Sequence, residues 1–138
     1  MTAVREQTAA GLDAVLSPRS IAVIGASPDP ASVGYRLLAN ILSHGFRGPV
    51  YPVHPRATEI LGLAVHRSAR DLPAPVDLAV IAVPAAAVRS VVEDCAARKV
   101  RGILLVTAGD RETGPDGARM EEELGRFVRE HGMRLVGP

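Results

Sequence analysis

The amino-acid sequence predicts an α/β domain built on a doubly wound, mostly parallel sheet of about five strands with helices on both faces. The first observation is that short runs rich in branched apolar residues alternate with longer stretches of helical period. The second is that these runs are apolar at almost every position, as in strands that helices cover on both faces. The third is length, because 138 residues with 47% hydrophobic content can bury one substantial core but are short for two.

Five apolar runs are the predicted strands. In chain order they are residues 20–25, 50–53, 78–83, 103–107 and 134–136. Three of the intervening stretches are amphipathic and long enough for three or more helical turns, at residues 33–44, 86–98 and 117–131. Gly45 and Gly132 follow two of these helices, where a residue in the left-handed conformation commonly ends a helix.

The remaining segments are less regular. Residues 59–74 show no clear period, although residues 69–72, just before Pro73, predict a short helical turn. We expect residues 1–15 to form an N-terminal lead-in and residues 16–138 to form the domain itself.

Charge and composition exclude several classes of function. The 16 basic and 15 acidic residues are scattered and leave a net charge of +1, with no basic run to line a nucleic-acid backbone. Aromatic residues make up only 3% of the chain, which removes the platforms on which single-stranded nucleic acids stack. No apolar run approaches the roughly 20 residues of a membrane helix. The lone Cys95 cannot form an internal disulfide, and the N-terminus lacks the apolar core of a signal peptide. We therefore expect a cytoplasmic protein without a nucleic-acid or membrane partner.

The candidate site follows from the topology, because a doubly wound sheet binds its ligand outside the carboxyl ends of its strands. After the first strand, residues 25–34 form a loop of small residues that opens a helix. Small residues let backbone amides approach a phosphate, and a helix amino terminus favours an anion. The alternative is an ordinary strand-to-helix turn capped by Ser32. The loop matches neither the G-x-G-x-x-G pattern nor the P-loop pattern.

The end of the second strand carries a base where a NAD-binding domain has an acid. The chain reads Val53-His54-Pro55-Arg56 there, and no carboxylate is present to accept the ribose hydroxyls. Arg56 suits an anion such as the ribose phosphate of NADP or the 3′-phosphate of coenzyme A (CoA). The alternative is a solvated surface arginine.

The third and fourth strand ends carry weaker signals. Val83 and Pro84 form a stiff apolar edge that suits an adenine or a pantetheine arm, or simply terminates the strand. Residues 107–114 form a polar turn with two carboxylates and an arginine, which is either a site edge or a solvated loop.

Five segments in this order resemble the CoA-binding domain of NDP-forming acyl-CoA synthetases. They are SIAVIGAS, NILSHGFRGPVYPVHPR, LPAPVDLAVIAVPA, VTAGDRETG and RLVGP. The resemblance runs from Leu16 onward and implies a Rossmann-like fold and a CoA or acyl-CoA ligand. It extends equally to the corresponding region of bacterial protein lysine acetyltransferases that carry a GNAT domain, and more distantly to the α subunit of succinyl-CoA synthetase.

The resemblance also implies which residues bind CoA. The small-residue loop takes the phosphates, the second strand end lies near the adenosine and its 3′-phosphate, and the third and fourth line the nucleotide and pantetheine path. In that order, the implied residues are Gly25, Ala26, Ser27, Val33, Gly34, Val53, Pro55, Arg56, Val83, Pro84, Thr107, Ala108 and Gly109.

The sequence departs from the family at two positions. His54 stands where Asn is usual, so the hydrogen bonds of that turn are expected to differ. Asp110 stands where Phe is common, which replaces an apolar surface with a negative charge near the thiol end and argues against a catalytic role of its loop. The four histidines lack the grouping of a metal site or a nucleophilic triad, and Cys95 is expected to be a packed small residue. We predict no catalytic residue and no metal ligand in this chain.

Two classes of function remain open. One is a CoA-binding module, catalytically inactive alone, that serves further domains of the same protein: the phosphohistidine and ATP-grasp domains of a synthetase or the GNAT domain of an acetyltransferase. The chain ends at Pro138, where the resembling proteins continue, so we expect a part of a longer protein, most simply an acyl-CoA synthetase (ligase). The other class is a stand-alone enzyme that uses NADP or another nucleotide.

Overall fold

The computed structural model describes residues 13–106 and 115–137, without the side chains of residues 115 and 116. In chain order the elements are β1 (Ile21–Ile24), α1 (Val33–Ser43), β2 (Val50–Val53), β3 (Glu59–Ile60), β4 (Leu63–Ala64), a 3-10 turn (Ala69–Asp71), β5 (Leu78–Ile81), α2 (Ala85–Ala97), β6 (Gly102–Leu105), α3 (Pro115–Glu130) and β7 (Arg134–Val136).

The main sheet has five parallel strands in the order β2-β1-β5-β6-β7. β1 lies between β2 and β5, with Ile24 paired to Val53 on one side and to Ile81 on the other. All four pairings are parallel, as the continuous apolar runs predicted. The predicted five-stranded, Rossmann-like sheet is therefore confirmed.

Each face of the sheet is covered by its own hydrophobic cluster, because alternate strand residues point to opposite faces. One cluster joins Ala22 and Ile24 of β1 to α2 and α3 through Val88, Val92, Leu124 and Val128. The other joins Ile21 and Val23 to Leu38 of α1 and Ile60 of β3. Helices thus cover both faces, as predicted.

A short hairpin forms a separate two-stranded sheet beside β2. β3 and β4 are antiparallel, and their turn holds Leu61 and Gly62 at positive φ angles of 51° and 81°. Immediately after the hairpin, His66 forms a parallel bridge with Val53. The sequence pattern left this segment undefined except for the short helical turn, which the 3-10 turn at Ala69–Asp71 confirms.

Local signals in the sequence explain where the helices begin and end. Ser32 caps α1, since its Oγ accepts from the amide of Tyr35 at 3.1 Å. Gly45 and Gly132 have φ angles of 79° and 71°, so the predicted left-handed ends are confirmed. Lys99, after α2, adopts the same conformation with φ 59°.

The segment before β1 contributes to the core. Residues 13–16 are helical, Ala14 is buried, and Val15 packs against the cluster around Leu38. The domain boundary at residue 16 stays a prediction. None of the described helices combines the length and the apolar character needed to cross a membrane.

Candidate functional site

The carboxyl ends of β1 and β5 form the switch point of the sheet. From β1 the chain passes to α1 on one face, and from β5 it passes to α2 on the other. Two crossovers that diverge in this way leave a crevice between the strand ends, where ligands of doubly wound folds bind.

Gly25 lies at the centre of this crevice and is held by both neighbouring strands. Its amide donates to the carbonyl oxygen of Val53 at 3.1 Å. Its φ angle is 95°, and a Cβ at this position would lie 2.1 Å from the carbonyl oxygen of Ala82 and 3.1 Å from Cγ1 of Val83. Only glycine fits this conformation and this close approach.

Gly34 brings the start of α1 directly onto the loop after β1. A Cβ on Gly34 would lie 1.9 Å from the carbonyl oxygen of Gly25 and 2.9 Å from the Cα of Ala26. Three chain segments therefore meet at Gly25: the start of α1 at Gly34, the end of β2 at Val53, and the residues that follow β5, Ala82 and Val83.

Side chains within the loop fix its course. Ser27 Oγ accepts from the amide of Asp29 at 3.1 Å, and Asp29 Oδ1 accepts from the amide of Ala31 at 3.0 Å. Ser32 Oγ donates to the carbonyl oxygen of Asp29 at 2.8 Å. Hydrogen bonds within the loop thus fix its conformation.

Four backbone amides of this loop remain available as donors. The N–H groups of Ala26, Ser27, Val33 and Gly34 donate to no acceptor among residues 13–106 and 115–137. The last two belong to the first helical turn, whose amides have no partner within the helix. Ser27 and Val33 are partly exposed, whereas Ala26 and Gly34 are buried. The loop therefore offers donors and a helix amino terminus to an anion.

The end of β2 is organised by His54. Its amide donates to the carbonyl oxygen of His66 at 2.9 Å, and its Nδ1 accepts from the amides of Arg56 at 3.0 Å and Ala57 at 2.9 Å. Pro55 and Arg56 are exposed, and the Arg56 guanidinium forms no ion pair with a described carboxylate. The acceptor of this turn is thus an imidazole nitrogen, and the expected difference from the family's turn stays a prediction.

The remaining candidate residues differ in which of their atoms are accessible to a ligand. Val53 is buried, so only its backbone is available, whereas Val83 is partly exposed and Pro84 is exposed as the residue before α2. Three predicted residues of the fourth strand end lie outside the described residues: Thr107, Ala108 and Gly109.

Two other features are separate from the crevice. A cavity of about 370 Å³, lined by Arg19, Asp77, Arg101 and neighbouring residues, lies at the opposite, amino ends of the strands. Cys95 is fully buried in the core, as predicted. Burial, with a smaller contribution from the negative charge of Asp94, raises the pKa of its thiol to about 12. The buried thiol of Cys95 is therefore protonated at neutral pH.

Sequence reasoning missed His66 and Ala57, which complete the end of β2. The residue types around His66 gave no strand signal, because a single bridge involves too few residues to produce a pattern. The role of Gly34 was also missed in part, since close backbone packing leaves no mark beyond the glycine itself.

Comparison with known proteins identifies the family. The model of the CoA-binding domain family matches residues 19–138. Subunit alpha of an ADP-forming acetate–CoA ligase II from Pyrococcus furiosus is 42% identical over 127 residues, which are 92% of this chain and 28% of that protein. An ADP-forming 4-hydroxybutyrate–CoA ligase from Nitrosopumilus maritimus is 39% identical over 90% of this chain and 18% of its own length.

A solved structure agrees with these relatives. The dinucleotide-forming acetyl-coenzyme A synthetase 1 of Ca. Korarchaeum cryptofilum, in complex with phosphate and ADP, superposes with a TM-score of 0.86 and 42% identity. The match covers 94% of this chain and 27% of that one. This chain thus spans less than a third of the length of these relatives. By sequence and by fold, the chain belongs to the CoA-binding domain family.

Proposed function

We propose that this chain provides the CoA-binding site of an ADP-forming acyl-CoA synthetase and that the phosphates of CoA bind at the loop between β1 and α1. The observation that carries this proposal is that the amides of Ala26, Ser27, Val33 and Gly34 have no acceptor among the residues that the structure describes. Ser27 and Val33 are the partly exposed members and would meet the phosphates directly. Gly25 and Gly34 have no Cβ, so the backbone of the loop can pack closely at these two positions.

The other strand ends fit the rest of the ligand. Arg56 is exposed and has no carboxylate partner among the described residues, so it is free to pair with the 3′-phosphate. The backbone of Val53 and the ring of Pro55 would border the adenosine. Val83 and Pro84 supply an apolar edge for the nucleotide and the pantetheine arm, together with Thr107, Ala108 and Gly109, which stay predictions.

The end of β2 also disfavours NAD as the ligand. A carboxylate there would accept the ribose hydroxyls, whereas the exposed charged residue in the turn directly after β2 is Arg56. An arginine at this position would also suit the ribose phosphate of NADP in a stand-alone enzyme. Direct binding measurements with CoA and NADP distinguish the two possibilities.

Synthetase parentage is proposed over acetyltransferase parentage because the relatives described above are ligases. The GNAT alternative rests on the resemblance alone. Relatives named for acetate and for 4-hydroxybutyrate share this domain, which supports the view that other parts of the protein choose the acyl group. We propose that the domain acts with phosphohistidine and ATP-grasp domains in the cytoplasm, and that alone it makes no acyl-CoA.

Calorimetry with CoA, dephospho-CoA, NAD and NADP tests the proposal on the wild type, on Arg56→Ala and on Arg47→Ala. Arg47 is the matched control, because it is an exposed arginine that precedes β2 at the other end of the sheet. We expect CoA to bind the wild type and Arg47→Ala about tenfold more tightly than dephospho-CoA, since a charge-assisted contact contributes roughly 1.5 kcal/mol. In Arg56→Ala the two affinities should become nearly equal.

Two outcomes contradict parts of this proposal. Equal affinities for CoA and dephospho-CoA in the wild type would remove Arg56 from the site while leaving the loop assignment intact. Binding of NADP without binding of CoA would overturn the proposed function.

A further inference from the structure

The imidazole of His54 accepts backbone hydrogen bonds within a turn, a role that a short polar side chain usually has. In an Asx turn, a side-chain oxygen accepts from the backbone amide two residues later. Here Nδ1 of His54 accepts from the amides two and three residues later, at Arg56 and Ala57, with distances of 3.0 and 2.9 Å. Pro55 has no N–H, so these are the first two amides that follow the ring.

These contacts fix the tautomer of His54. A nitrogen that accepts from two N–H groups carries no proton, so the proton of the neutral ring must be on Nε2. His44 and His131 show the reverse arrangement, since Nδ1 of each lies 2.7 or 2.8 Å from a carbonyl oxygen four residues earlier and must donate to it. The chain therefore contains an internal reference for the tautomer of His54.

The backbone on either side of the turn is anchored differently. Before the turn, the His54 amide donates to the carbonyl of His66, and the His66 amide donates to the carbonyl of Pro52 at 3.0 Å. After it, the amides of Arg56 and Ala57 bond only to the imidazole among the described residues. The orientation of the Arg56 backbone thus depends on the His54 ring.

We propose that His54 is the positioning residue of the CoA site: its neutral, Nε2-protonated imidazole holds the turn so that Arg56 reaches the 3′-phosphate. This inference rests on the proposed function, because it explains how that same site distinguishes CoA from dephospho-CoA. Histidine stands here where Asn is usual in the resembling sequences, and the Nδ1 of His54 offers an acceptor as the side-chain oxygen of an Asn would.

The test compares His54→Ala, His54→Asn and the control His44→Ala, with the ratio of dephospho-CoA to CoA dissociation constants as the readout. His44 lies at the end of α1, before β2 and away from its carboxyl end. We expect a ratio of about ten in the wild type and the control, about three or less in His54→Ala, and within twofold of the wild type in His54→Asn. A structural role alone would lower both affinities together and leave the ratio unchanged.

A second measurement does not depend on ligand binding. Long-range ¹H–¹⁵N correlation spectra of the wild type at pH 8 should show His54 as the Nε2–H tautomer and His44 and His131 as Nδ1–H tautomers. An Nδ1–H tautomer at His54, or an unchanged ratio in a folded His54→Ala protein, would overturn the inference. Absence of CoA binding in the wild type would instead overturn the proposed function.

Discussion

Gly34 packs directly on the carbonyl group of Gly25, so closely that a Cβ on Gly34 would lie 1.9 Å from the carbonyl oxygen. This contact joins the first turn of α1 to the end of β1. The absence of a side chain at Gly34 therefore serves packing, and this role is separate from any contact with a ligand.

The first prediction follows from this contact. Gly34→Ala should lower the free energy of unfolding by about 2 kcal/mol or more, because the new methyl group meets backbone that cannot move aside. Chemical denaturation measures the change. Gly125→Ala is the control, since its Cβ would meet only the flexible end of Arg129, at 3.3 Å, and a helical Gly→Ala change stabilises by about 1 kcal/mol. Equal stability of Gly34→Ala and the wild type would show that α1 does not pack in this way.

Gly25 is subject to the same constraint, with a positive φ angle in addition. A Gly25→Val protein that fails to bind CoA therefore reports on folding as much as on the site. Variants of Arg56 and His54 leave the central glycine contact intact and test binding more directly.

The second prediction concerns Cys95, whose thiol pKa is raised to about 12 by burial. The fold favours the protonated thiol, so this contribution to stability is present below about pH 9, near the pKa of an exposed thiol, and declines as the pH rises from about 9 toward 12. The free energy of unfolding should fall more steeply over this range in the wild type than in Cys95→Ala. At pH 8 a disulfide reagent should label the thiol only after unfolding; rapid labelling of the native protein would show that Cys95 is accessible.

The third prediction concerns Lys99, which ends α2 in the left-handed conformation that glycine adopts at the ends of α1 and α3. Lys99→Gly should raise the free energy of unfolding by about 0.5 kcal/mol, because relief of the unfavourable φ outweighs the added entropy of the unfolded chain. Lys99→Ala is the control, since it removes the same side chain and keeps the unfavourable φ. A gain in Lys99→Ala equal to that in Lys99→Gly would mean that the lysine side chain, and not the backbone, is responsible.

The sequence predicted the main sheet because most of its strands lie in short, almost uninterrupted apolar runs that alternate with stretches of helical period. It did not predict the hairpin, since β3 and β4 have two residues each and Leu61 occupies a left-handed position that no sequence signal marks. The candidate site was predicted as a set of strand ends. Which groups those ends present could not be predicted, because the burial of Ala26 depends on packing between segments that are distant in sequence. The residue type of His54 also does not say whether its Nδ1 donates or accepts, since a neutral imidazole has two tautomers.

The convergence of three chain segments on Gly25 has a thermodynamic consequence for the proposed site. Hydrogen bonds and close backbone packing set the shape of the loop between β1 and α1 during folding. The loop is therefore preorganised and would lose little conformational entropy when an anion binds. The turn at Arg56 is held among the described residues by one side chain, and it can change by single substitutions without disturbing the core. At the proposed site, the affinity for the diphosphate of CoA would therefore be coupled to the stability of the fold, whereas discrimination among nucleotide ends would evolve independently of that stability.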